Sequence, residues 1–195
     1  MSAVMKGLES PVFDAQQVFR RLLEAMSAPG SIKTVLPVET MESIDTAAMA
    51  VLLSLADYDT PLWLDTAAAA DGRLEDHLRF HCGCPIEEDH GKALFALVAD
   101  AEALPSMELF AQGSESYPDR STTLIVQVPG LDNEFGWRLT GPGINGVRYL
   151  DVAGLPADFV SQWAQNRALF PMGVDIVFTC GDQLAALPRT TRLEV

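Results

Sequence analysis

The chain is short of positive charge, of cysteine and of long apolar runs. Among its 195 residues there are 13 Lys or Arg against 27 Asp or Glu, and the lysines are only Lys6, Lys33 and Lys92. The net charge of −14 repels phosphate backbones and anionic lipid, which argues against nucleic acid or a membrane surface as a partner. An anionic substrate would need local cations set against that global field. Three scattered lysines offer no evident Schiff-base site. No apolar stretch approaches the roughly 18 residues of a membrane span, and Met1–Pro11 has no apolar core of signal-peptide length. The cysteines, Cys82, Cys84 and Cys180, are odd in number and make no disulfide framework, so reduced thiols in the cytoplasm are expected. There is no P-loop, since Gly91-Lys92 lacks both the leading glycine and the hydroxyl, and no G-x-S-x-G elbow.

What is present is a chain of single-domain size, 1–195, with 48% hydrophobic residues and enough length to bury a core. The last 26 residues, Phe170–Val195, read as a β-hairpin: Val174–Thr179 rich in β-branched and aromatic residues, a Gly181-Asp182 turn, Gln183–Leu187 apolar again, and Pro188 as a stop. Arg189-Thr190-Thr191-Arg192 then supplies two cations and two hydroxyls. Upstream, helical spacing runs over Asp14–Met26, with Asp14 as N-cap and Phe13 placed to staple onto Val18. Ile32–Val38 reads as a strand, Asp45–Ala56 as a buried helix and Leu62–Leu64 as a short buried strand. Asp71–Phe80 reads as an amphipathic helix, Ala93–Val98 as a strand and Leu104–Ala111 as a short helix. Gly113–Arg120 is the polar stretch expected to be most mobile. Ser121–Val128 is the clearest central strand, Trp137–Thr140 and Val147–Val152 are strands, and Leu155–Leu169 is a helix opened by Pro156. Alternation early and clustered strands late predict an α/β fold, a sandwich about a mixed central sheet with an antiparallel hairpin at its end.

Several constellations bear on chemistry. His77, His81, Cys82 and Cys84, with His90 nearby, put two imidazoles at i, i+4 beside two thiols. That spacing suits Zn²⁺, but four ligands on one helix end are crowded, and helix-end histidines with buried cysteine fillers explain the same residues, so no metal is expected. Asp57 and Asp59 could meet a hard cation; they are more simply turn formers. Arg20-Arg21 reads as a solvated helix face or as a phosphate or partner contact. Gly141-Pro-Gly143-Ile-Asn-Gly146 matches G-x-G-x-x-G, yet a strand pattern follows it and Pro142 removes a donor, so it reads as a hairpin turn. Arg189-Thr190-Thr191-Arg192 is the best anion site by chemistry, and equally a charged edge that discourages aggregation.

Ordered segments along nearly the whole chain resemble the PhnH family, the H subunit of the bacterial carbon–phosphorus lyase core complex of phosphonate metabolism. They are Asp14-Ala15-Gln16 through Phe19-Arg20-Arg21-Leu22-Leu23; Ala25-Met26-Ser27-x-Pro29-Gly30; Leu55-Ala56-Asp57-x-Asp59-Thr60-Pro61-x-Trp63-Leu64; Leu78-Arg79-Phe80-His81; Arg138-Leu139-Thr140-Gly141-x-Gly143-Ile144; Phe170-Pro171-x-Gly173-x-Asp175; Thr179-Cys180-Gly181; and Pro188-Arg189-Thr190-Thr191. Cys82, Cys84 and Gly146 depart from the family pattern. The resemblance implies a three-layer sandwich like the large domain of pyridoxal-phosphate-dependent transferases, without that cofactor's site and with no cofactor of its own. It implies a cytoplasmic homodimer in isolation and a place beside the G, I and J subunits, in a system that joins a phosphonate to the ribose of ATP and displaces adenine. The radical cleavage of the carbon–phosphorus bond belongs to the J subunit. Two roles follow. One is an accessory subunit serving assembly, with the apolar Ala47–Leu55 as a possible interface. The other is a transferase subunit holding phosphonate or nucleotide in a cleft formed by Arg79, His81, Thr140, Gly141, Arg189 and Thr190. No nucleophile is paired with a base in the sequence, which favours the first and leaves catalytic residues unassigned.

Overall fold

The structure, a computed structural model, describes residues 5–70 and 72–195. The expectations that touch Met1–Val4 and Asp71 lie outside those residues. Among the described residues the α-helices are α1 (Pro11–Ser27), α2 (Thr46–Leu55), α3 (Arg73–His81) and α4 (Phe159–Ala168). The strands are β1 (Ile32–Thr34), β2 (Leu62–Leu64), β3 (Phe95–Val98), β4 (Thr123–Gln127), β5 (Leu131–Thr140), β6 (Arg148–Val152), β7 (Asp175–Cys180), β8 (Gln183–Leu187) and β9 (Arg192–Glu194). A six-stranded sheet runs β1-β8-β7-β4-β3-β2, and a three-stranded sheet runs β6-β5-β9. Strands β2, β3, β4 and β7 are parallel neighbours, whereas β8 is antiparallel to both β7 and β1. The fold is therefore α/β about a mixed sheet, as the alternation of elements predicts.

Side-chain alternation divides the core in two, because successive residues of a strand face opposite sides. Leu97, Ile125, Val177, Leu184 and Ala186 point to one side, where they meet Val18 and Leu22 of α1, Ala47–Leu52 of α2, and Leu74 and Leu78 of α3. Ala96, Val98, Leu124, Val126, Ile176 and Phe178 point to the other, where Leu139, Leu150 and Val152 of the small sheet and Phe159 and Trp163 of α4 cover them. The second covering layer is thus mostly β-sheet. Strand β9 supplies part of it: Leu193 turns inward while Arg192 and Glu194 stay exposed. The sequence reading gave Arg189–Arg192 as an anion site or a charged edge and assigned no strand to the residues that form β9.

Other departures have local causes. Pro11 occupies the first helical position and Ser10 the N-cap, so α1 begins earlier than expected. Asp14 lies one turn inside, and its carboxylate accepts the Ser10 N–H at 2.7 Å. Phe13 then falls within the helix and is exposed, so there is no staple onto Val18. Strand β1 covers only Ile32–Thr34, and the Val35 N–H carries the pairing one residue further, onto the Asp182 carbonyl of the turn between β7 and β8 at 2.9 Å. The helix expected over Leu104–Ala111 is replaced by two 3-10 turns, Ala101–Ala103 and Met107–Leu109, on either side of Pro105. The Gln112 amide caps the second by donating to the carbonyls of Met107 (2.7 Å) and Phe110 (2.8 Å). Helix α4 starts at Phe159 rather than Leu155, after a turn closed by the Phe159 N–H on the Pro156 carbonyl. The Gly113–Arg120 stretch is tied internally by the reciprocal Ser114 and Tyr117 backbone bonds and ends in a 3-10 turn, Pro118–Arg120.

The glycine-rich segment joins antiparallel β5 and β6 and is followed by a strand, so it cannot present a helix N-terminus to a pyrophosphate. It latches the small sheet onto α1 instead. A Cβ on Gly143, whose φ is +80°, would meet the Ser27 carbonyl oxygen at 2.0 Å, and the Arg148 guanidinium donates to the Ala28 carbonyl at 2.9 Å. Gly146 has the same φ of +80° but nothing within 4 Å of a Cβ. Gly146→Ala should therefore cost roughly 1–2 kcal/mol, the left-handed penalty alone. Gly143→Ala should cost clearly more, because backbone must also move. Urea denaturation of both variants measures the difference, and equal losses would remove the latch from the account.

Candidate functional site

The six residues expected to line one cleft lie in two places. Arg79 and His81 belong to α3, on the helical side of the large sheet; Thr140 and Gly141 end β5 on the opposite side, where a Gly141 Cβ would sit 3.1 Å from the Thr190 carbonyl. Arg189 follows β8, and its guanidinium is used internally. Nε donates to both Asp175 carboxylate oxygens at 3.1 and 3.2 Å. Nη1 donates to the carbonyls of Pro118 (3.0 Å) and Pro171 (3.3 Å), and Nη2 to Ser121 Oγ and to Asp175. The five N–H groups of an arginine are thereby all engaged. The side chains of Arg189 and Asp175 are only 12% and 16% exposed. The expected anion fork at Arg189 is corrected to a structural clamp: no donor remains for a phosphonate oxygen. Truncating one member of a buried charged pair typically costs 3–5 kcal/mol. We expect about that loss for Arg189→Ala in urea denaturation, with little recovery in Arg189→Lys, whose ammonium cannot reach four acceptor groups in this planar arrangement. A near-neutral Arg189→Ala would contradict the clamp.

Arg79 pairs with Glu75 at 2.7 Å and remains well exposed. It borders a cavity of about 600 Å³ with Trp63, Thr66, Ile86, Glu87 and Glu88. His81 is exposed, and its Nε2 lies 2.9 Å from the Met5 carbonyl. Its ring is 4.4 Å from that of His77. His77 is buried, with no partner at either ring nitrogen. Among the described residues no three His, Cys, Asp or Glu come together as ligands for a metal ion. Burial pushes the Cys82 thiol up to about 12, aided by Cys84 and Asp57, so it stays protonated and unreactive near neutrality. In the Asp57–Asp59 turn, Asp57 accepts the Asp59 N–H at 2.9 Å, which is the turn-forming role.

Burial, and then the neighbouring His81, hold His77 below its ordinary 6.5, against the opposing pull of Glu39. The native state therefore refuses a proton that the unfolded chain accepts. Stability from a neutral His77 is complete above pH 6.5 and declines as pH falls below it, down to the folded-state value. His77→Leu should flatten the fall in urea midpoint between pH 7.5 and 5 relative to the native chain. An unchanged pH profile would count against a neutral, buried His77.

The sequence reading missed the edge at the C-terminal ends of the parallel strands, where open α/β sheets bind ligands. Just beyond β2, the Asp65 carboxylate accepts the N–H groups of Ala68 (2.7 Å), Ala99 (2.9 Å) and Asp100 (3.0 Å), tying that end to the end of β3. At the end of β4, Gln127 accepts the Asp45 N–H at 2.6 Å. Thr179 of β7 donates to the Asp45 carboxylate at 3.3 Å. Asp45, Asp100, Glu102, Gln127 and Gly154 border a cavity of about 300 Å³. Burial raises the Asp45 carboxyl above its ordinary range, partly offset by hydrogen bonds from Gly181 and Thr179. These acidic walls suit hydroxyl or cationic groups better than a phosphonate. In the sequence Asp45 reads only as the first residue of a buried helix, because Gln127 and Thr179 lie 82 and 134 residues away.

The profile of the family described as "Bacterial phosphonate metabolism protein (PhnH)" matches residues 6–194. The chain belongs to the PhnH family. "Alpha-D-ribose 1-methylphosphonate 5-triphosphate synthase subunit PhnH" of Rhizobium meliloti (strain 1021) is 38% identical over 185 residues, covering 94% of this chain and 92% of its own length. "Putative C-P lyase subunit protein HtxG" of Stutzerimonas stutzeri is 29% identical over 184 residues, covering 92% and 86%. In this PhnH-family chain, several segments that carry the family likeness are those that hold the fold. Pro171, Asp175 and Arg189 are clamp members, and Gly143 is the latch glycine.

Proposed function

We propose that this protein is an H-type subunit of a carbon–phosphorus lyase system in phosphonate catabolism. In this reading it supports the transfer of phosphonate to the ribose of ATP mainly through assembly. The observation that carries the proposal is a match to a named synthase subunit over 94% of this chain and 92% of the relative. The chemistry of the molecule is consistent with it: the sequence-predicted anion arginine, Arg189, is fully used within the fold, and the two cavities described above carry acidic walls. In this proposal the chain acts as one unit, pairs with itself in isolation, works in the cytoplasm beside the G, I and J subunits, and has a sheet like that of the large pyridoxal-phosphate transferase domain without its cofactor.

A direct role in ligand binding has one observation in its favour, the exposed Arg79 beside Trp63 in the larger cavity. Co-expression with the G, I and J subunits of the same host, followed by mass measurement, separates the two roles. Assembly predicts a stoichiometric complex that Arg79→Ala leaves intact and active in supporting growth on methylphosphonate as sole phosphorus source. An intact complex that loses growth with Arg79→Ala would move the function to that cavity. A stable protein that ignores these subunits would overturn the assembly role.

A further inference from the structure

Strand β2 ends the large sheet, and its outer side is only half paired. The Leu62 N–H donates to the Pro85 carbonyl and the Leu62 carbonyl accepts the Glu87 N–H, both at 2.9 Å, which bridges Leu62 to Ile86 in the parallel sense. The peptide groups of successive residues face the two sides of a strand in turn, so Leu64 is the next residue to point outward. Among the described residues no bond of this kind reaches Leu64. The N–H that would answer its carbonyl, that of Asp89, is taken by the Glu87 side chain at 3.2 Å. The ladder therefore stops at the cavity of about 600 Å³, which Leu64 borders. The walls carry the carboxylates of Asp65, Glu75, Glu87 and Glu88 against one cation, Arg79, which Glu75 holds at 2.7 Å. Asp65 is spent on three backbone N–H groups, and one Glu87 oxygen on two. Glu88 is exposed and carries no ion pair among the described residues.

We propose that this open edge docks an extended segment of a partner protein that carries Arg or Lys side chains. The inference rests on the reading above that the chain serves assembly, and it gives that role a surface and a partner chemistry. Two independent features select the occupant. An unpaired backbone donor and acceptor at a sheet edge are met by the backbone of an added strand. The excess of carboxylates calls for cationic side chains, because an acidic segment or a phosphonate would be repelled. A second copy of this chain, with a charge of −14 and three lysines, suits the groove poorly. Trp63 and Ile86 supply apolar wall along which the stem of an Arg or Lys can lie while its head stays with the carboxylates. Arg79 opposes an incoming cation, so its removal should favour docking.

The experiment mixes the full chain with the purified G, I and J subunits of the same host. Hydrogen exchange should slow about tenfold or more at the Leu64 amide in the complex relative to the isolated chain, as an open N–H becomes paired. Glu87→Gln with Glu88→Arg changes only the outer wall of the groove. Surface plasmon resonance should show this double variant associating about tenfold more slowly at low salt, with a flatter dependence on NaCl. Its circular dichroism spectrum should be unchanged, and Arg79→Ala should associate faster than the native chain. A complex that forms with no slowing at Leu64, and at the same rate with the double variant, would overturn the docking edge while leaving the assembly role in place. Argininamide that slows Leu64 exchange in the isolated chain, with complex formation indifferent to the double variant, would give the groove to a small cation and overturn the docking edge. No complex with these subunits at any salt concentration would overturn both the edge and the assembly role.

Discussion

The interaction on which most of this architecture depends is the largely covered contact between Arg189 and Asp175. Asp175 opens β7 and Arg189 follows β8, so the pair closes the open end of the terminal hairpin. The same guanidinium takes the carbonyls of Pro118 and Pro171 and the hydroxyl of Ser121, which brings the segment before β4 and the turn after α4 to one point. A charge this far from water is tolerable only when it is paired and its donors are satisfied. That requirement makes the clamp demanding, since any displacement of the four segments strands a donor or an acceptor. It also sets the path of the last residues. Beyond Arg189 the chain turns through the Thr191 N–H bond to the Pro188 carbonyl and joins the small sheet as β9.

The second face of the large sheet is organised by a related device on neutral groups. The Trp163 indole of α4 donates to the Thr191 carbonyl at 3.0 Å, and Asn166 both donates to the Val174 carbonyl and accepts its N–H. Helix α4 is thus bound to the start of β7 and to the turn before β9. Trp163 and Phe159 can then fill the space between the sheets, with Phe159 stacked on Trp137 at 5.3 Å. On the helical face, α2 is buried from Ala47 to Leu52, and its start is tied by the Ala47 N–H to the Gly181 carbonyl and by Asp45 to Gln127 and Thr179.

This division of labour bears on function. Several of the positive groups that might have held an anion are spent on the fold or paired at the surface, as with Arg189–Asp175, Arg138–Glu194 and Arg79–Glu75. The uncommitted features are of two kinds. One is a carboxylate edge at the strand ends, around Asp45 and Asp65, of which Asp65 is occupied with backbone N–H groups. The other is exposed apolar surface, as on α1 at Val12, Phe13, Phe19 and Leu23.

The period-two and helical patterns were enough to read most elements, because Leu124–Val126, Val177, Phe178 and the Ala47–Leu52 run carry their burial in their own residue types. The Gly141–Gly146 segment was legible as a turn for the same local reason: a strand pattern follows it. The sequence by itself thus determined the α/β class, the terminal hairpin, the exclusion of a dinucleotide loop and, through its ordered motifs, the family. Only the tertiary structure decided what the polar residues do. Arg189 looked like a ligand because its partners, Pro118, Ser121, Pro171 and Asp175, are contributed by segments 14 to 71 residues away. Arg79 and Thr140 looked like neighbours because nothing local tells which face of a sheet a distant segment will cover. Strand β9 was hidden because three residues carry almost no propensity signal, and its place was set by the clamp before it and by an unpaired edge of β5. Local sequence carries burial and turn chemistry; the pairing of charges is a long-range matter, settled by which segments the two cores bring together.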